Sequence, residues 1–273
     1  MSVISTRAKK AAAALAFLIL HRRDMRGNRR FRNKHQGERC FILCNGPSVL
    51  KQDILPLRNE IVMSVSNGYL HKDFERIRPA YHFVPSVTYG MMTEQDFVQW
   101  FREMDDRLGD AELFLGSTEY PLVKKHGLFP GRTVNYLCCA RPFLAGETKV
   151  IDIGGIVPVI ASVPIMCLLA AIYMGFKEIY LLGVDHDSLI TREYKYSFEP
   201  TVLRGKDYSV DEEGRVRIPL YEELQAYLLV WSQYRHLKQI AEANAVSIFN
   251  ATAGGLLDEF PRVDFKNFIF DKA

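Results

Sequence analysis

The chain has 273 residues, of which 48% are hydrophobic and 25% are charged, with 35 Lys and Arg against 32 Asp and Glu. This apolar fraction is typical of a globular protein and excludes a disordered chain. The length allows one large domain with an ample core. None of the five cysteines forms a Cys-x-x-Cys pair, which indicates a reduced, cytosolic chain without a zinc site.

The first 37 residues carry a concentrated positive charge. They hold ten Lys and Arg against one Asp, whereas the rest of the chain has 25 basic and 31 acidic residues. Ten apolar residues at positions 11–20 lie between the basic clusters, fewer than the roughly 20 that cross a bilayer. No small-residue cleavage site follows them, as a signal peptide requires.

We therefore predict that residues 1–37 form a leader that attaches the protein to the anionic cytoplasmic surface of the inner membrane. A plain extension and a nucleic-acid arm are less favoured alternatives, and we expect no nucleic acid among the partners.

Residues 38–273 alternate strand-like and helix-like segments. This alternation predicts an α/β fold with a Rossmann-like, doubly wound, mainly parallel sheet. The predicted strands are 39–45, 60–66, 80–85, 111–116, 133–137, 178–185 and 246–250. The predicted helices are 93–104, which opens on a capping box of Thr93 and Asp96, and 220–241.

Residues 156–176 form a run of 21 positions without a charge. Because the strand-like segment 178–185 follows almost at once, we interpret the run as a helix buried on all sides of an α/β layer. A membrane-spanning helix is the alternative. The polar stretch that follows, about 188–217, contains Tyr194, Tyr196 and Arg204 and is predicted to form a lid over a site.

Candidate site residues follow the predicted strands. Ligands of open parallel sheets bind beyond the carboxyl ends of the strands, near the switch in strand order. Five loops at such positions are candidates for the site. They are Asn45-Gly46-Pro47-Ser48, Asn67, Gly154-Gly155 ahead of the apolar run, Asp185-His186-Asp187, and the C-terminal loop with Asn250, Thr252, Gly254 and Gly255.

Each loop suggests a different chemistry. The Asn45–Ser48 loop and Gly154-Gly155 are predicted to hold phosphate at helix N-termini. Asn67 is predicted to bond a ribose or a base edge. Two acids and an imidazole at residues 185–187 suit a general base, a divalent-metal site or a cluster for sugar hydroxyls. An ordinary turn is the alternative for the loops at Asn45–Ser48, Asn67 and Asp185–Asp187.

Three segments resemble a known group of enzymes. FILCNGPSVL resembles the opening strand and loop of the family 42 sialyltransferases, and MCLLAAIYMGFKEIYLLGVD resembles a later segment of that group. IFNATAGGLLDEFPRVDF is similar to the ending of the related 6-hydroxymethylpterin diphosphokinases and motility-associated glycosylation factors. The resemblance implies a GT-A-like nucleotide-binding domain. It also implies nucleotide contacts from Asn45–Ser48, Asn67 and Ser162.

The chain departs from the sialyltransferase pattern at several positions. Val84 replaces an Asn, Ile160 replaces an Arg, and Asp187 occupies the place of a Tyr that assists the departing phosphate. The catalytic His of that family corresponds to the region of Tyr227 and Leu228 in this chain.

The sequence as a whole predicts a glycosyltransferase that moves a sugar from a nucleotide-activated donor, such as a CMP-sugar, to a cell-surface or lipid-linked glycan by inverting displacement. His186, Asp187 or Asp185 acts in catalysis, and Tyr194, Tyr196 and Arg204 stabilise the leaving phosphate. No cofactor or metal is required, and a homo-oligomer is compatible with the sequence.

Two alternatives stay open. An ATP-dependent diphosphokinase of the pterin type would bind Mg²⁺ through Asp185 and Asp187. A non-catalytic member of the group would bind nucleotide or glycan without turnover.

Overall fold

A computed structural model describes residues 16–85, 92–193, 195–199, 211 and 215–270 of the chain. In this part of the chain eight parallel strands form one sheet, in the order β6-β5-β4-β3-β2-β1-β7-β8. Helices cover both faces, so the predicted doubly wound α/β fold is confirmed. The strands are β1 Arg39–Leu43, β2 Ile61–Val65, β3 Tyr81–Val84, β4 Glu112–Gly116, β5 Val134–Arg141, β6 Ile156–Pro158, β7 Glu178–Leu182 and β8 Ser247–Asn250.

The strands are continuous apolar runs because both faces of the sheet are buried. In β1 every residue from Cys40 to Leu43 is buried, and Cys40 aligns with Ile61 of β2 and Ile179 of β7. Side chains alternate between the two faces of the sheet and pack into separate apolar clusters, one of which is built around the helix Val163–Met174.

The helices among the described residues are α1 Arg22–Gly27, α2 Phe74–Ile77, α3 Glu94–Arg107, α4 Tyr120–His126, α5 Val163–Met174, α6 Ser188–Thr191, α7 Leu220–Ala243 and α8 Phe265–Phe270. Short 3-10 helices occupy Asn28–Phe31, Pro47–Lys51, Leu55–Asn59, Ser66–Leu70 and Ser117–Glu119. The capping box predicted at the start of α3 is confirmed, since the Thr93 hydroxyl accepts from the Asp96 amide while the Asp96 carboxylate accepts from the Thr93 amide.

The apolar run 156–176 is not one helix. It forms the edge strand β6, a short connection and then α5, in which Pro164 lies in the first turn. Every residue from Pro164 to Met174 is buried, which explains the absence of charge. Among the described helices, none combines the length and apolar character needed to cross a bilayer.

The predicted boundary between a leader and a domain at residue 37 is wrong, because residues well before it belong to the core. Met25 and Phe31 are buried, and the buried Asn28 donates from Nδ2 to the carbonyl oxygens of Tyr136 and Ile153, at 2.8 and 3.1 Å. The basic residues Arg30 and Lys34 bind the Glu112 carboxylate at the start of β4. The membrane contact predicted for this segment stays a prediction, and residues 1–15 lie outside the described part.

The same segment caps the C-terminal end of helix α5. The backbone amides of Asn33, His35 and Gly37 donate to the carbonyl oxygens of Tyr173, Met174 and Gly175, at 3.1, 2.8 and 3.0 Å. The final carbonyl groups of a helix lack partners within the helix, so these bonds satisfy groups that would otherwise be buried unpaired. The N-terminal segment therefore stabilises the main buried helix of the fold.

Helix α7 is only partly the amphipathic helix that the sequence predicts. Tyr234, Leu237, Ile240 and Ala241 are buried, as expected, but Leu220 and Leu224 in the first two turns are exposed. With 24 residues the helix is about 36 Å long, whereas β8 beside it has four residues. The first half of α7 consequently extends beyond the carboxyl edge of the sheet.

Histidine 82 on β3 is fully buried near the ends of β2 and β3. Its Nδ1 lies 2.8 Å from Ser64 Oγ, and its Nε2 lies 2.9 Å from the carbonyl oxygen of Ser66. Burial lowers the pKa of His82 to about 3. The ring is therefore neutral in the folded protein at neutral pH. Its Nε2 donates to the Ser66 carbonyl oxygen, which can only accept, and its Nδ1 accepts from the Ser64 hydroxyl.

We expect the protein to lose stability as the pH falls from about 6.5, the ordinary pKa of a histidine in an unfolded chain, toward 4. In this range the unfolded state binds a proton at His82 and the folded state does not. The free energy of unfolding then falls by up to about 1.4 kcal/mol per pH unit on account of this residue. His82→Gln should be less stable at pH 7 but should show a shallower slope in urea titrations between pH 7 and 4.5. A slope equal to that of the wild type would contradict this assignment.

Candidate functional site

The switch in strand order lies between β1 and β7. The chain builds the sheet from β1 outward to β6 and then returns to add β7 and β8 on the other side of β1. The crossovers after β1 and β7 leave in opposite directions, which opens a crevice at the carboxyl ends of these two strands. Two of the predicted loops, Asn45–Ser48 and Asp185–Asp187, follow β1 and β7 directly, so they meet at this crevice as predicted.

The two loops are bonded to each other. The Gly46 amide donates to the Gly183 carbonyl oxygen at 3.0 Å, and the Ser48 hydroxyl donates to Asp185 Oδ2 at 2.9 Å. A Cβ atom on Gly46 would lie 1.6 Å from Asp185 Oδ2. Glycine is thus required at position 46 because the chain's own carboxylate occupies the space above it.

This arrangement corrects the prediction that Ser48 helps to cradle a phosphate. The segment after Pro47 is a five-residue 3-10 helix, and the Ser48 amide and hydroxyl both point at Asp185. Burial raises the pKa of Asp185, with the bonds from Ser48 acting in the opposite direction. A phosphate at this position would have to displace a carboxylate, so the anion site predicted there is already filled by the protein.

Asn45 and Asn67 lie at the ends of the neighbouring strands β1 and β2. Asn45 donates from Nδ2 to the Val65 carbonyl oxygen at 3.2 Å, and the buried Asn67 accepts a 2.6 Å bond from Trp100 Nε1 at its Oδ1. In the described part of the chain, Asn45 Oδ1 and Asn67 Nδ2 have no hydrogen-bond partner. Each side chain therefore bonds the fold through one end and has no partner at the other end among the described residues.

His186 is held in an aromatic recess on α7. Its backbone has a φ of 45°, and its Nε2 lies 2.8 Å from the hydroxyl oxygen of Tyr234. The rings of Tyr227 and Trp231 have centroids 6.5 and 5.6 Å from the imidazole. Burial lowers the pKa of His186 to about 4, so the ring is neutral at pH 7. A neutral imidazole can accept a proton, which keeps His186 as a candidate base.

Asp187 precedes helix α6 and is partly exposed. Its carboxylate has no hydrogen-bond partner among the residues that the structure describes. Those residues also contain no group of three or more His, Cys, Asp or Glu side chains placed to hold a metal ion. The two carboxylates therefore differ in their surroundings. That of Asp185 is bonded to the Asn45–Ser48 loop, and that of Asp187 is partly exposed to solvent.

Sequence reasoning missed the side of the crevice that α7 supplies. The Tyr227 hydroxyl lies 2.9 Å from Ser188 Oγ and accepts from the Leu189 amide at 3.2 Å. The buried carboxylate of Glu223 pairs with Arg192. The spacing of Glu223, Tyr227 and Tyr234 places them on one face of the helix. Polar groups on a face that otherwise packs in the core were the sequence feature that could have indicated their role.

Gly154 and Gly155 do not open a helix, which corrects their predicted role. The strand β6 separates them from α5, and both amides bond to Asp152, Gly154 to its Oδ1 at 2.9 Å and Gly155 to its carbonyl oxygen at 3.1 Å. They directly precede the edge strand β6, which is five strands away from β1 in the sheet. Ser162 does precede α5, and its side chain makes no capping bond.

The C-terminal loop bonds the backbone of the β7 loop. Asn250 and Thr252 are buried, and Thr252 Oγ1 accepts from the Val184 amide at 3.1 Å. The Leu256 amide donates to the Asp185 carbonyl oxygen at 2.8 Å, and Arg262 donates to the carbonyl oxygens of Gly254 and Gly255. These internal partners indicate that the loop fixes the backbone of Asp185.

Gly255 and Gly254 offer a matched test of this support. Both have positive φ, 73° and 115°, but a Cβ on Gly255 would lie 2.5 Å from the Asp185 carbonyl oxygen, whereas one on Gly254 would meet nothing within 4 Å. We expect Gly255→Ala to lower the free energy of unfolding by about 3–5 kcal/mol and Gly254→Ala by about 1–2 kcal/mol. Urea denaturation measures both. Equal losses would show that the contact with Asp185 is unimportant.

The predicted lid is described only in part. Tyr194 and Arg204 lie outside the described residues. The Tyr196 ring stacks on Phe198 with centroids 5.5 Å apart, and the next amide, that of Ser197, donates to the Asn45 carbonyl oxygen at 2.8 Å. The segment that contains Tyr196 therefore starts directly beside the β1 loop.

Comparison with known proteins gives a distant structural likeness. No protein-family model matches the chain, and no curated protein matches its sequence. The chain superposes on the sialyltransferase CstII from Campylobacter jejuni, solved in complex with the substrate analogue cytidine-5'-monophosphate. The TM-score is 0.44 and the sequence identity 14%, over 84% of this chain and 85% of that one. A likeness of this degree concerns the course of the chain and assigns no reaction.

Proposed function

We propose that the protein is a glycosyltransferase that moves a sugar from a nucleotide-activated donor to a glycan acceptor. The observation that carries the proposal is the meeting of the β1 and β7 loops at the switch point, with the β2 loop beside them. Asn45 and Asn67 each present a polar atom without a partner among the described residues, and the β7 loop carries the neutral imidazole of His186. The resemblance of FILCNGPSVL to sialyltransferases supports this choice of reaction. The donor is proposed to be a CMP-sugar or another nucleotide sugar.

The nucleoside is assigned to the side of the crevice formed by β1 and β2. Asn45 Oδ1 accepts and Asn67 Nδ2 donates, which is the pairing that a base edge requires. Asp185 Oδ2 is bonded to Ser48, but its Oδ1 has no partner among the described residues, and a carboxylate oxygen at a strand end suits a ribose hydroxyl. This assignment replaces the phosphate cradle at Ser48.

The leaving phosphate is assigned to the lid residues Tyr196, Tyr194 and Arg204. The bond from the Ser197 amide to the Asn45 carbonyl oxygen supports a lid that closes next to the nucleotide loop. Tyrosine hydroxyl groups and a guanidinium would bond the phosphate as its charge develops. In this scheme the Asp185 carboxylate repels the phosphate from Ser48 and so directs it toward the lid.

The reaction is proposed to be a single inverting displacement. The acceptor oxygen bonds to the anomeric carbon while the bond from that carbon to the phosphate oxygen breaks, and the bonding pair leaves with the nucleotide. The acceptor hydroxyl proton passes to His186, whose ring is neutral at pH 7. Asp187 is the alternative base. Proposed acceptors are cell-surface or lipid-linked glycans.

A thermal-shift panel tests the proposal. Purified protein is heated with CMP, UDP and GDP, with their sugars, and with ATP plus Mg²⁺. We expect one nucleotide class to raise the Tm, because a ligand at 100 times its Kd adds about 2.7 kcal/mol to the folded state. Asn45→Ala should abolish the shift, whereas Asn59→Ala, an exposed asparagine at the other edge of the sheet, should preserve it.

The outcomes separate the alternatives. Stabilisation by ATP plus Mg²⁺ but by no nucleotide sugar would favour the diphosphokinase. Binding of a nucleotide sugar without turnover on any acceptor would favour a non-catalytic binding protein. Release of the free nucleotide with transfer of the sugar supports the proposal.

A further inference from the structure

Several exposed apolar side chains of the described residues lie at the carboxyl edge of the sheet. In α7, Leu220, Leu224 and Leu228 follow each other at every fourth position and are 56, 47 and 73% exposed. Residues with this spacing form one stripe along a helix. The stripe belongs to the half of α7 that extends past the sheet. Isolated exposed leucines are common, but a stripe of three on one helix marks a contact surface.

Helix α6 continues this surface. Ile190 is 69% exposed. Its helix is joined to α7 through the bond between Ser188 and Tyr227. α6 also begins directly after Asp187, so the apolar surface borders the proposed site.

A second apolar group lies at the same edge, on the far side of the sheet. Ile19 and Leu20 are 65 and 77% exposed. Their neighbour Phe17 contacts the ring of Tyr120, the first residue of α4, with centroids 5.4 Å apart. Tyr120 follows the carboxyl end of β4 through one short 3-10 helix. Strands β4 and β7 are four strands apart in the sheet, so the two apolar groups lie at different places along the same edge.

Unpaired positive charge accompanies the second group. Arg23 and Arg26 are exposed and lie in α1, which is separated from the helical turn that contains Ile19 by a break at His21. Neither arginine has an acidic partner within the described residues. Asp24 lies between them and pairs with His21 at 3.8 Å. The fifteen residues that precede Ala16 add Arg7, Lys9, Lys10 and the apolar run that begins at Ala11.

We infer that the carboxyl edge of the sheet docks on an anionic lipid bilayer, with α7 and the segment at Ile19 as two points of contact. Two separate apolar groups on one edge fit a flat apolar surface, and the free arginines beside one group match acidic headgroups. In this orientation the crevice between β1 and β7 opens toward the membrane. As a consequence, which rests on the proposed function, the acceptor is a lipid-linked glycan presented from that membrane.

Vesicle co-sedimentation of the full chain tests the inference. We expect binding to vesicles of phosphatidylethanolamine with phosphatidylglycerol and weaker binding to phosphatidylcholine alone. Leu224→Gln with Leu228→Gln should weaken binding by about tenfold for each leucine. Arg23→Glu with Arg26→Glu should weaken it by at least about fivefold for each arginine. Both pairs are exposed, so the Tm should be preserved.

Matched controls lie at the opposite edge. Val150 is exposed near Thr148, whose carbonyl oxygen accepts from Asn244 at the end of α7, and Arg32 is an exposed arginine between Phe31 and β1. Val150→Gln and Arg32→Glu should leave vesicle binding unchanged. An environment-sensitive dye on Leu228→Cys should shift to the blue with anionic vesicles, and the same dye on Val150→Cys should not.

Three results would overturn the inference. The wild type could fail to bind anionic vesicles. The leucine pair could leave binding intact while the arginine pair abolishes it, which would restrict the contact to the N-terminal segment. The leucine pair could convert an oligomer into a monomer by light scattering without affecting vesicle binding, which would make α7 a self-association surface. Nucleotide-dependent thermal shifts are measured without vesicles, so failure of the proposed function is scored separately.

Discussion

A chain that lacks residues 1–37 is expected not to fold. The deletion removes Met25 and Phe31 from the core and removes Asn28, whose Nδ2 bonds two buried carbonyl oxygens. It also removes the amides that end α5, the helix on which much of the core is built. The loss of two large core side chains and several buried hydrogen bonds is comparable with the whole free energy of unfolding of a typical domain, about 5–15 kcal/mol. Circular dichroism and urea denaturation measure the outcome.

Two variants separate this expectation from a general effect of shortening the chain. Deletion of residues 1–15 keeps Met25, Asn28, Phe31 and the amides that bond α5, so it should preserve the cooperative unfolding transition. Phe31→Ala in the full chain should lower the free energy of unfolding by about 3–5 kcal/mol, because the ring is fully buried and lies 5.0 Å from the ring of Phe114. A stable, cooperatively folded chain from residue 38 onward would restore the boundary that composition suggests.

The sheet was predictable because its strands are buried on both faces. Parallel strands of this kind are short apolar runs bounded by polar loops, and β1, β2, β4 and β7 fit that description. Strand β6 was missed because its three residues continue into the apolar residues of α5. The core contribution of the N-terminal segment was not predicted because Met25 and Phe31 are single apolar residues among many arginines, and they form no periodic apolar pattern.

The position of the site was predictable, but its internal bonds were not. The order in which strands are added to the sheet reverses between β1 and β7, and such a reversal brings the loops after the two strands together. The bond between Ser48 and Asp185 joins residues 137 positions apart, and no local pattern identifies such a partner. The bond between His186 and Tyr234 was equally hidden, because Tyr234 reads from its spacing as a core residue of α7. Long-range polar pairs of this kind decide which predicted ligand groups stay available.

The largest effect on turnover is expected from His186→Asn. Asparagine tolerates the positive φ of 45° at this position, but it cannot accept a proton from the acceptor hydroxyl. We expect kcat to fall by about 10²–10⁴-fold with little change in the KM of the donor, because the imidazole acts in the chemical step and not in nucleotide binding. Asp187→Asn should lower kcat far less. The reverse ranking would transfer the role of base to Asp187.

The pH dependence and Tyr234 test the role of His186 in a way that a structural defect does not. With a pKa of about 4 in the free protein, His186 is neutral throughout the range from about 5.5 to 8, so kcat/KM should be nearly constant there and should fall only in more acid solution. Tyr234→Phe removes the hydroxyl that lies 2.8 Å from Nε2. It should lower kcat about tenfold and move the acid limb of the profile, whereas Tyr221→Phe, an exposed tyrosine on the same helix, should do neither. An unchanged profile in Tyr234→Phe would mean that the imidazole is held by its aromatic recess alone.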